Sequence, residues 1–454
     1  MTQISMRKRI WGWWAFDWAS QPYHTLLITF IFGPFFAAVA TDAFMAQGLA
    51  EEAAKAQAQS TWSLCLTIAG LTIGICAPFL GAFADISGRR RPWVVLFSLM
   101  YVIGAAGLWF TDPAGSNLYL MLFVFGIGFL GAEFALIFVN AQLPSLGLRE
   151  DVGTLSGFGF AIGYLGGVVA LVIMLTLFVE SANGRTLIGL TPAFGLDPAL
   201  REDTRIVGPI TALWFVVFII PYFLWVRDGS ATGNRATMHE AVGSVLRSVK
   251  SLRNRLSLAS YLGSSMLYRD ALNGLYTFGG IYARLVLDWQ ITLIGVFGIV
   301  SAISAAFFCW VGGFADRRYG PKPVIRTSIL VLTVVCLIVV SMSREQILGI
   351  PLAEGSKLPD IVFFACGVLI GGFGGILQAA SRSLMVRHTT PETATEAFGL
   401  YGLSGRATAF LAPALIGIAT TMTGSPRLGI TPIILLFLAG LFVLRWVNAE
   451  GDQS

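Results

Sequence analysis

Residues Trp11–Leu27 read WGWWAFDWASQPYHTLL and open an apolar run that continues to about Ala40. Inside it sit Asp17, Ser20, Gln21, Tyr23 and His24. Asp17, Gln21 and His24 follow one another at helical spacing, so they share one face. A carboxylate and an imidazole within a membrane-length helix are costly, and such groups face a bundle interior or a water-filled cavity. The chain then repeats the device. Tyr268–Tyr276 reads YRDALNGLY, where Asp270, Asn273 and Tyr276 match Asp17, Ser20 and Tyr23 in spacing. The pattern predicts two halves, each opened by a helix with a buried acid.

Composition agrees with a membrane chain. Of 454 residues, 56% are hydrophobic and 12% charged, and mean hydropathy is +0.75. Soluble domains carry about 25% charged residues, so this composition indicates an integral membrane protein, which the helix-length apolar segments make all-α. The formal charge of +5 does not point to nucleic acid, because the basic residues lie between apolar segments rather than in one patch. Cys65, Cys76, Cys309, Cys336 and Cys366 all fall inside apolar segments without metal-ligand spacing and read as buried thiols. No metal and no cofactor is expected. Arg7, Lys8 and Arg9 precede a run too long and too polar for a signal peptide, which reads instead as the first span, its N-terminus cytoplasmic.

A crossing needs about 20 apolar residues. On that basis spans are predicted at 11–40, 61–84, 93–111, 117–141, 154–180, 208–226, 257–284, 289–314, 323–343, 359–385, 396–420 and 428–447. Starting inside, the even-numbered connections and both termini hold most of the Lys and Arg residues, as the positive-inside rule requires. The expected organisation is a six-helix bundle over 1–226, a cytoplasmic linker over 227–256 and a second six-helix bundle over 257–454. Within the linker, Met238, Val242, Val245, Val249, Leu252 and Leu256 recur at helical spacing, with Arg247, Lys250, Arg253 and Arg255 between them. Such a basic amphipathic helix lies on the membrane surface or serves as a solvated linker.

A second repeat lies between spans. Gly81–Pro92 reads GAFADISGRRRP and Gly312–Pro323 reads GGFADRRYGPKP. Both share G-x-F-A-D, then a basic cluster and Pro. The glycines permit close helix approach, and each Asp can accept from the backbone N–H groups at a neighbouring helix start or pair with a base. Gly81, Asp85, Gly88 and Arg89, with Gly312, Asp316 and Arg317, are therefore candidate gating loops on the cytoplasmic face. The alternative is a plain turn with snorkelling arginines. The extra residue before Gly320 is expected to weaken the second copy's loop geometry.

These two loops resemble the hallmark G-x-L-A-D-x-x-G-R-K loop of the major facilitator superfamily, with Phe83 for Leu and Arg90 for Lys in the first copy. Within it, Phe16–Tyr23 (FDWASQPY) is similar to the D-W-A-N-S-x-Y signature of the autophagy-associated vacuolar amino-acid effluxers and their bacterial relatives. Gly159–Gly167, Gln378–Ser383 and Glu396–Pro413 support the likeness. Ser20 and Gln21 stand where that family has Asn and Ser, and His24 and Arg269 belong to no signature. The resemblance implies twelve transmembrane helices in two pseudo-symmetric bundles that rock about a central site. It also implies that spans 1, 4, 7 and 10 line a cavity, and that the fold works as a monomer.

Candidate chemistry follows from the polar groups on those spans. Asp17, Gln21, Tyr23 and His24 lie on the first, Glu133 and Asn140 on the fourth, Arg269, Asp270, Asn273 and Tyr276 on the seventh, and Gln378 on the tenth. Arg382 is close enough to the inner surface to snorkel, whereas Arg406 on the eleventh needs an anion. Each residue has a structural alternative: Glu133 can form a fixed ion pair with Arg269 or Arg406, His24 can be a packing residue, and the tyrosines can be core. The leading reading is a secondary transporter of a small organic solute, an amino acid or similar zwitterion. In it Arg406 holds the carboxylate, Asp17 or Asp270 the amine, and Asp17, Glu133 or Asp270 a proton. Export of drugs, sugars or lipid-like molecules is a rival, as is a non-transporting receptor or assembly factor on a transporter fold. No nucleophile–base set or nucleotide loop suggests an enzyme. A multi-pass inner-membrane location, with lipids, protons and a small molecule as partners, is expected.

Overall fold

The computed structural model describes residues 4–180, 184–228, 237–287, 289, 291–408, 411–423 and 425–452. In chain order the helices are α1 (Met6–Pro22), α2 (Phe32–Ala46), α3 (Glu51–Ser87), α4 (Arg91–Gly107), α5 (Leu118–Asn140), α6 (Val152–Leu177), α7 (Glu202–Arg205), α8 (Val207–Phe218), α9 (Ile220–Trp225) and α10 (Met238–Ser251). Then come α11 (Leu256–Val286), α12 (Ile291–Tyr319), α13 (Pro321–Ser341), α14 (Leu358–Arg387), α15 (Ala394–Ala407), α16 (Leu411–Thr423), α17 (Pro426–Gly429) and α18 (Thr431–Val443). Gln346–Ile347 (β1) and Ile350–Pro351 (β2) form a small antiparallel hairpin.

Among the described residues, ten helical stretches are long and apolar enough to cross a membrane. The two other predicted spans take different forms for visible reasons. Helix α11 has 31 residues, but Arg269, Asp270 and Asn273 in its middle lower its hydropathy. The predicted 396–420 span is divided at Thr408 into α15 and α16. Lipid-compatible faces show on several helices. On α3, Leu64, Ile68, Leu71 and Ile75 are each more than half exposed at i, i+4, i+7 and i+11, a single apolar stripe.

Two compact units form: residues 1–76, 87–139 and 162–234 in one, and 77–86, 140–161 and 235–454 in the other. They differ from the expected halves because 77–86 and 140–161 pack with the C-terminal helices. Backbone proximity at glycines is the reason. A Cβ on Gly81 would stand 2.6 Å from the Thr395 carbonyl oxygen, and one on Gly399 2.8 Å from Ala77. One on Gly157 would stand 2.6 Å from the Cys309 carbonyl oxygen and from the Gly313 Cα. Any larger residue would force these segments apart.

Candidate functional site

In the first unit, α1 gives way to a π-helical segment, Tyr23–Phe30, before the bend at Ile31. Pro22 is the local cause: it has no N–H to give the Trp18 carbonyl, which accepts instead from the Trp214 indole at 3.1 Å. The widened turn shows in Ile31 N–H bonding Leu26 O at 3.0 Å, five residues back. Single π segments of this kind accompany functional positions in helices. Here the segment carries His24, whose Nε2 lies 3.8 Å from Glu133 Oε1 with both side chains partly exposed. Gln21 is also partly exposed and lies along Gly167. Asp17, on the same face, is buried, its Cβ against Gly163.

Tyr23 is placed otherwise than a substrate contact. It is fully buried, its hydroxyl donates to Phe125 O at 2.8 Å, and it packs edge-on against Tyr101. A side chain with its hydroxyl satisfied and no exposed surface belongs to the core, which removes Tyr23 from the candidates.

In the second unit, α11 has two polar faces. Arg269, Asn273 and Tyr276 lie at i, i+4 and i+7 and all retain exposure. The Arg269 guanidinium sits 4.2 Å above the Tyr401 ring and donates to the Tyr401 carbonyl at 3.0 Å. Gly405 makes room for it. Among the described residues no carboxylate pairs with it. Tyr276 reaches over Gly374, and Gln378 is partly buried on the same α14 helix. The Arg406 side chain lies outside the described residues.

Asp270 faces the other way and is 1% exposed. Its Oδ2 accepts from the Ala412 N–H at 2.9 Å, the second residue of α16. A helix start has unpaired N–H donors, so the interruption at Thr408 supplies Asp270 with a partner. Its Oδ1 is buried without a hydrogen bond, and so is Thr408 Oγ1. Discontinuous helices of this kind build substrate and ion sites in transporters.

The repeated G-x-F-A-D loops behave alike in part. Asp85 accepts from Thr395 Oγ1 at 2.6 Å and from the Glu396 N–H at 2.9 Å, at the start of α15. Asp316 packs on Gly153 near the start of α6, but neither of its oxygens has a hydrogen bond, although Arg387 and Ser383 lie nearby. Arg317 pairs with Asp151 at 3.3 Å. The extra residue of the second copy does not disturb the loop: α12 runs one residue further beyond its Asp, and Gly320 then takes a positive φ of 82°, as Gly88 does at 64°.

Arg382 does not snorkel. It is 3% exposed and donates to Ser156 Oγ at 2.9 Å, Ser156 O at 2.7 Å and Asn140 Oδ1 at 3.0 Å, with Phe160 under its guanidinium at 4.3 Å. Neutral acceptors and a ring face compensate its burial. Asn140 thus serves as an acceptor for Arg382. Beyond it, His388 ends α14. Its Nδ1–H donates to Leu384 O at 2.9 Å, and its Nε2 accepts from Ser257 Oγ at 2.7 Å. Burial pushes His388 below the ordinary imidazole value, with the Leu384 bond opposing. The unfolded chain therefore takes up a proton first. This stabilisation is complete above about pH 6.5 and is lost as pH falls toward the folded-state value. Thermal unfolding in detergent should show that loss as pH is lowered below about 6.5, and His388→Gln should flatten it.

No group of acids, histidines and cysteines among the described residues is arranged to hold a metal. Comparison with known proteins gives a consistent picture. The chain is 25% identical over 450 residues to the uncharacterised MFS-type transporter YxiO of Bacillus subtilis, covering 98% of this chain and 95% of that one. It is 24% identical over 315 residues to autophagy-related protein 22-1 of Aspergillus niger, 66% of this chain but 48% of that protein; the chain thus spans about half the fungal relative's length. Among solved structures, the proton:xylose symporter XylE superposes with a TM-score of 0.70 at 11% identity, over 96% of this chain and 94% of that one. The major facilitator FucP in its outward conformation gives 0.68 at 13%, over 97% of each. These matches establish the fold as twelve transmembrane helices in two pseudo-symmetric bundles. The family model described as "Vacuole effluxer Atg22 like" matches residues 5–453, and the chain belongs to that family of major facilitator transporters.

Proposed function

We propose that this transporter moves a small zwitterionic solute, such as an amino acid, by alternating access. The observation that carries the reading is the α11 helix. It combines a partly exposed guanidinium free of any carboxylate among the described residues, Arg269, with a buried carboxylate that keeps one oxygen unbonded, Asp270. A solute carboxylate complements Arg269, while Asp270, on the other face of α11, keeps an oxygen that can carry a proton. Arg269 or Arg406 takes the carboxylate, while Asn273, Tyr276 and Gln378 supply neutral contacts. The family model's description, "Vacuole effluxer Atg22 like", is consistent with efflux.

Coupling to protons rests on the first unit. His24 and Glu133 form a pair whose charge depends on one proton, and a carboxyl group in a low-dielectric cavity loads and releases protons as its surroundings change. The gating loops then act at the cytoplasmic face of the inner membrane, with both termini on that side and the protein a monomer. Nothing in this scheme calls for an enzyme's chemistry. The coupling is tested by uptake into proteoliposomes under an imposed pH gradient. Glu133→Gln and Asp17→Asn should reduce the pH-driven component by about tenfold or more, leaving exchange without a gradient less affected. Unchanged pH-driven uptake in both variants would remove the proton role.

A further inference from the structure

Helix α10 has two unlike faces. Ala241 and Val245 are buried against Ala82, Phe79, Phe83 and Ile86, and Ser244 Oγ donates to Glu396 Oε2 at 2.9 Å. Glu396 is the residue whose backbone N–H the Asp85 carboxylate accepts. The helix therefore rests directly on the contact through which Asp85 latches the start of α15. Next to this buried strip, Met238, Val242, Leu246 and Val249 are 51%, 37%, 62% and 48% exposed. At helical geometry these four fall within an arc of about 80°. Exposed Lys250 lies next to one edge of that arc, exposed Arg247 lies about 100° beyond it on the polar face, and exposed Arg253 follows the helix.

The sequence builds this helix deliberately. Thr237 and Glu240 form a reciprocal capping box that fixes its start, which favours the helix locally. An apolar arc with cations beyond one edge is the pattern of a helix lying in a membrane interface, its apolar groups among acyl chains and its bases at anionic headgroups. The positive side selects an anionic lipid rather than a neutral one.

We propose that α10 is a clamp operated by anionic phospholipid, which holds the Asp85 latch closed. Lipid that engages the exposed arc only while α10 is docked favours the docked state by its differential affinity. Docking in turn fixes Glu396 through Ser244, and Glu396 supplies the N–H that Asp85 accepts. Lipid charge at one surface thus biases the conformational equilibrium of the transporter.

The test uses the full-length protein in nanodiscs of phosphatidylcholine alone or mixed with phosphatidylglycerol, read by hydrogen exchange. With phosphatidylglycerol, amides of 238–251 should exchange on the order of tenfold more slowly, and those at the start of α15 should slow as well. The combined variant Arg247→Gln, Lys250→Gln, Arg253→Gln, altered only at exposed positions, should lose both differences. Ser244→Ala should keep the first and lose most of the second. Equal exchange in the two membranes, or a wild-type response in the triple variant, would overturn the lipid clamp. An undiminished α15 response in Ser244→Ala would overturn its link to the latch.

Discussion

Arg382→Ala should lower the stability of the folded protein by about 3–5 kcal/mol, taking three charge-assisted hydrogen bonds at roughly 1.5–3 kcal/mol each and allowing for their non-additivity. The guanidinium is 3% exposed and binds Ser156 twice and Asn140 once. Removing it leaves the buried Ser156 carbonyl and the partly buried Asn140 amide oxygen without this donor, and empties the space over Phe160. Thermal unfolding of purified protein in detergent measures the loss. A lysine cannot reproduce the forked geometry, so Arg382→Lys should recover less than half of it. If the side chain instead reached the membrane surface, alanine would cost under about 0.5 kcal/mol, as at ordinary surface sites. A double-mutant cycle with Ser156→Ala separates the pair from general packing: coupling of about 1 kcal/mol or more is expected.

The second large effect concerns Asp270. Asparagine in its place retains an acceptor for the Ala412 N–H but not the charge. Asp270→Asn should therefore fold with little change in unfolding temperature, while solute transport falls by about a hundredfold. Alanine also removes the acceptor, leaving the start of α16 unsatisfied, and should cost a further 1–3 kcal/mol or so of stability. The contrast between the two variants divides function from structure. Wild-type transport by Asp270→Asn would show that the carboxylate serves only to cap α16.

Much of the fold was legible because its signals repeat. The two G-x-F-A-D loops and the two acid-bearing helices fix the two-part plan, and the expected role of Asp85 at a helix start matches its bonds to Thr395 and Glu396. Periodicity also placed the linker helix, whose capping box at Thr237 and Glu240 marks its beginning. Other features depend on partners distant in the chain. Nothing in the local sequence around Arg382 announces Ser156 or Asn140, which lie more than 200 residues earlier. Tyr23 looked like a cavity residue because it follows the polar positions of α1, yet Phe125 and Tyr101 enclose it.

Two interruptions divide along the same line. Pro22 gave a local reason for the π-helical segment, since a missing N–H must change the ladder. The break at Thr408 had no such decisive residue: its consequence appears only when Asp270, on another helix, accepts from Ala412. The boundary between compact units was hidden for a similar reason. Glycines at 81, 157 and 399 advertise close approach but not the partner, and the partner decides which unit a segment joins.

Solute counterflow tests the central claim most directly. Purified protein in proteoliposomes loaded with an unlabelled amino-acid mixture is given the same mixture in labelled form outside. Alternating access by a zwitterion transporter predicts transient, saturable accumulation of label, with Arg269→Ala or Arg406→Ala abolishing it while the protein remains folded. Absence of any accumulation by folded, monodisperse wild-type protein would contradict the amino-acid reading.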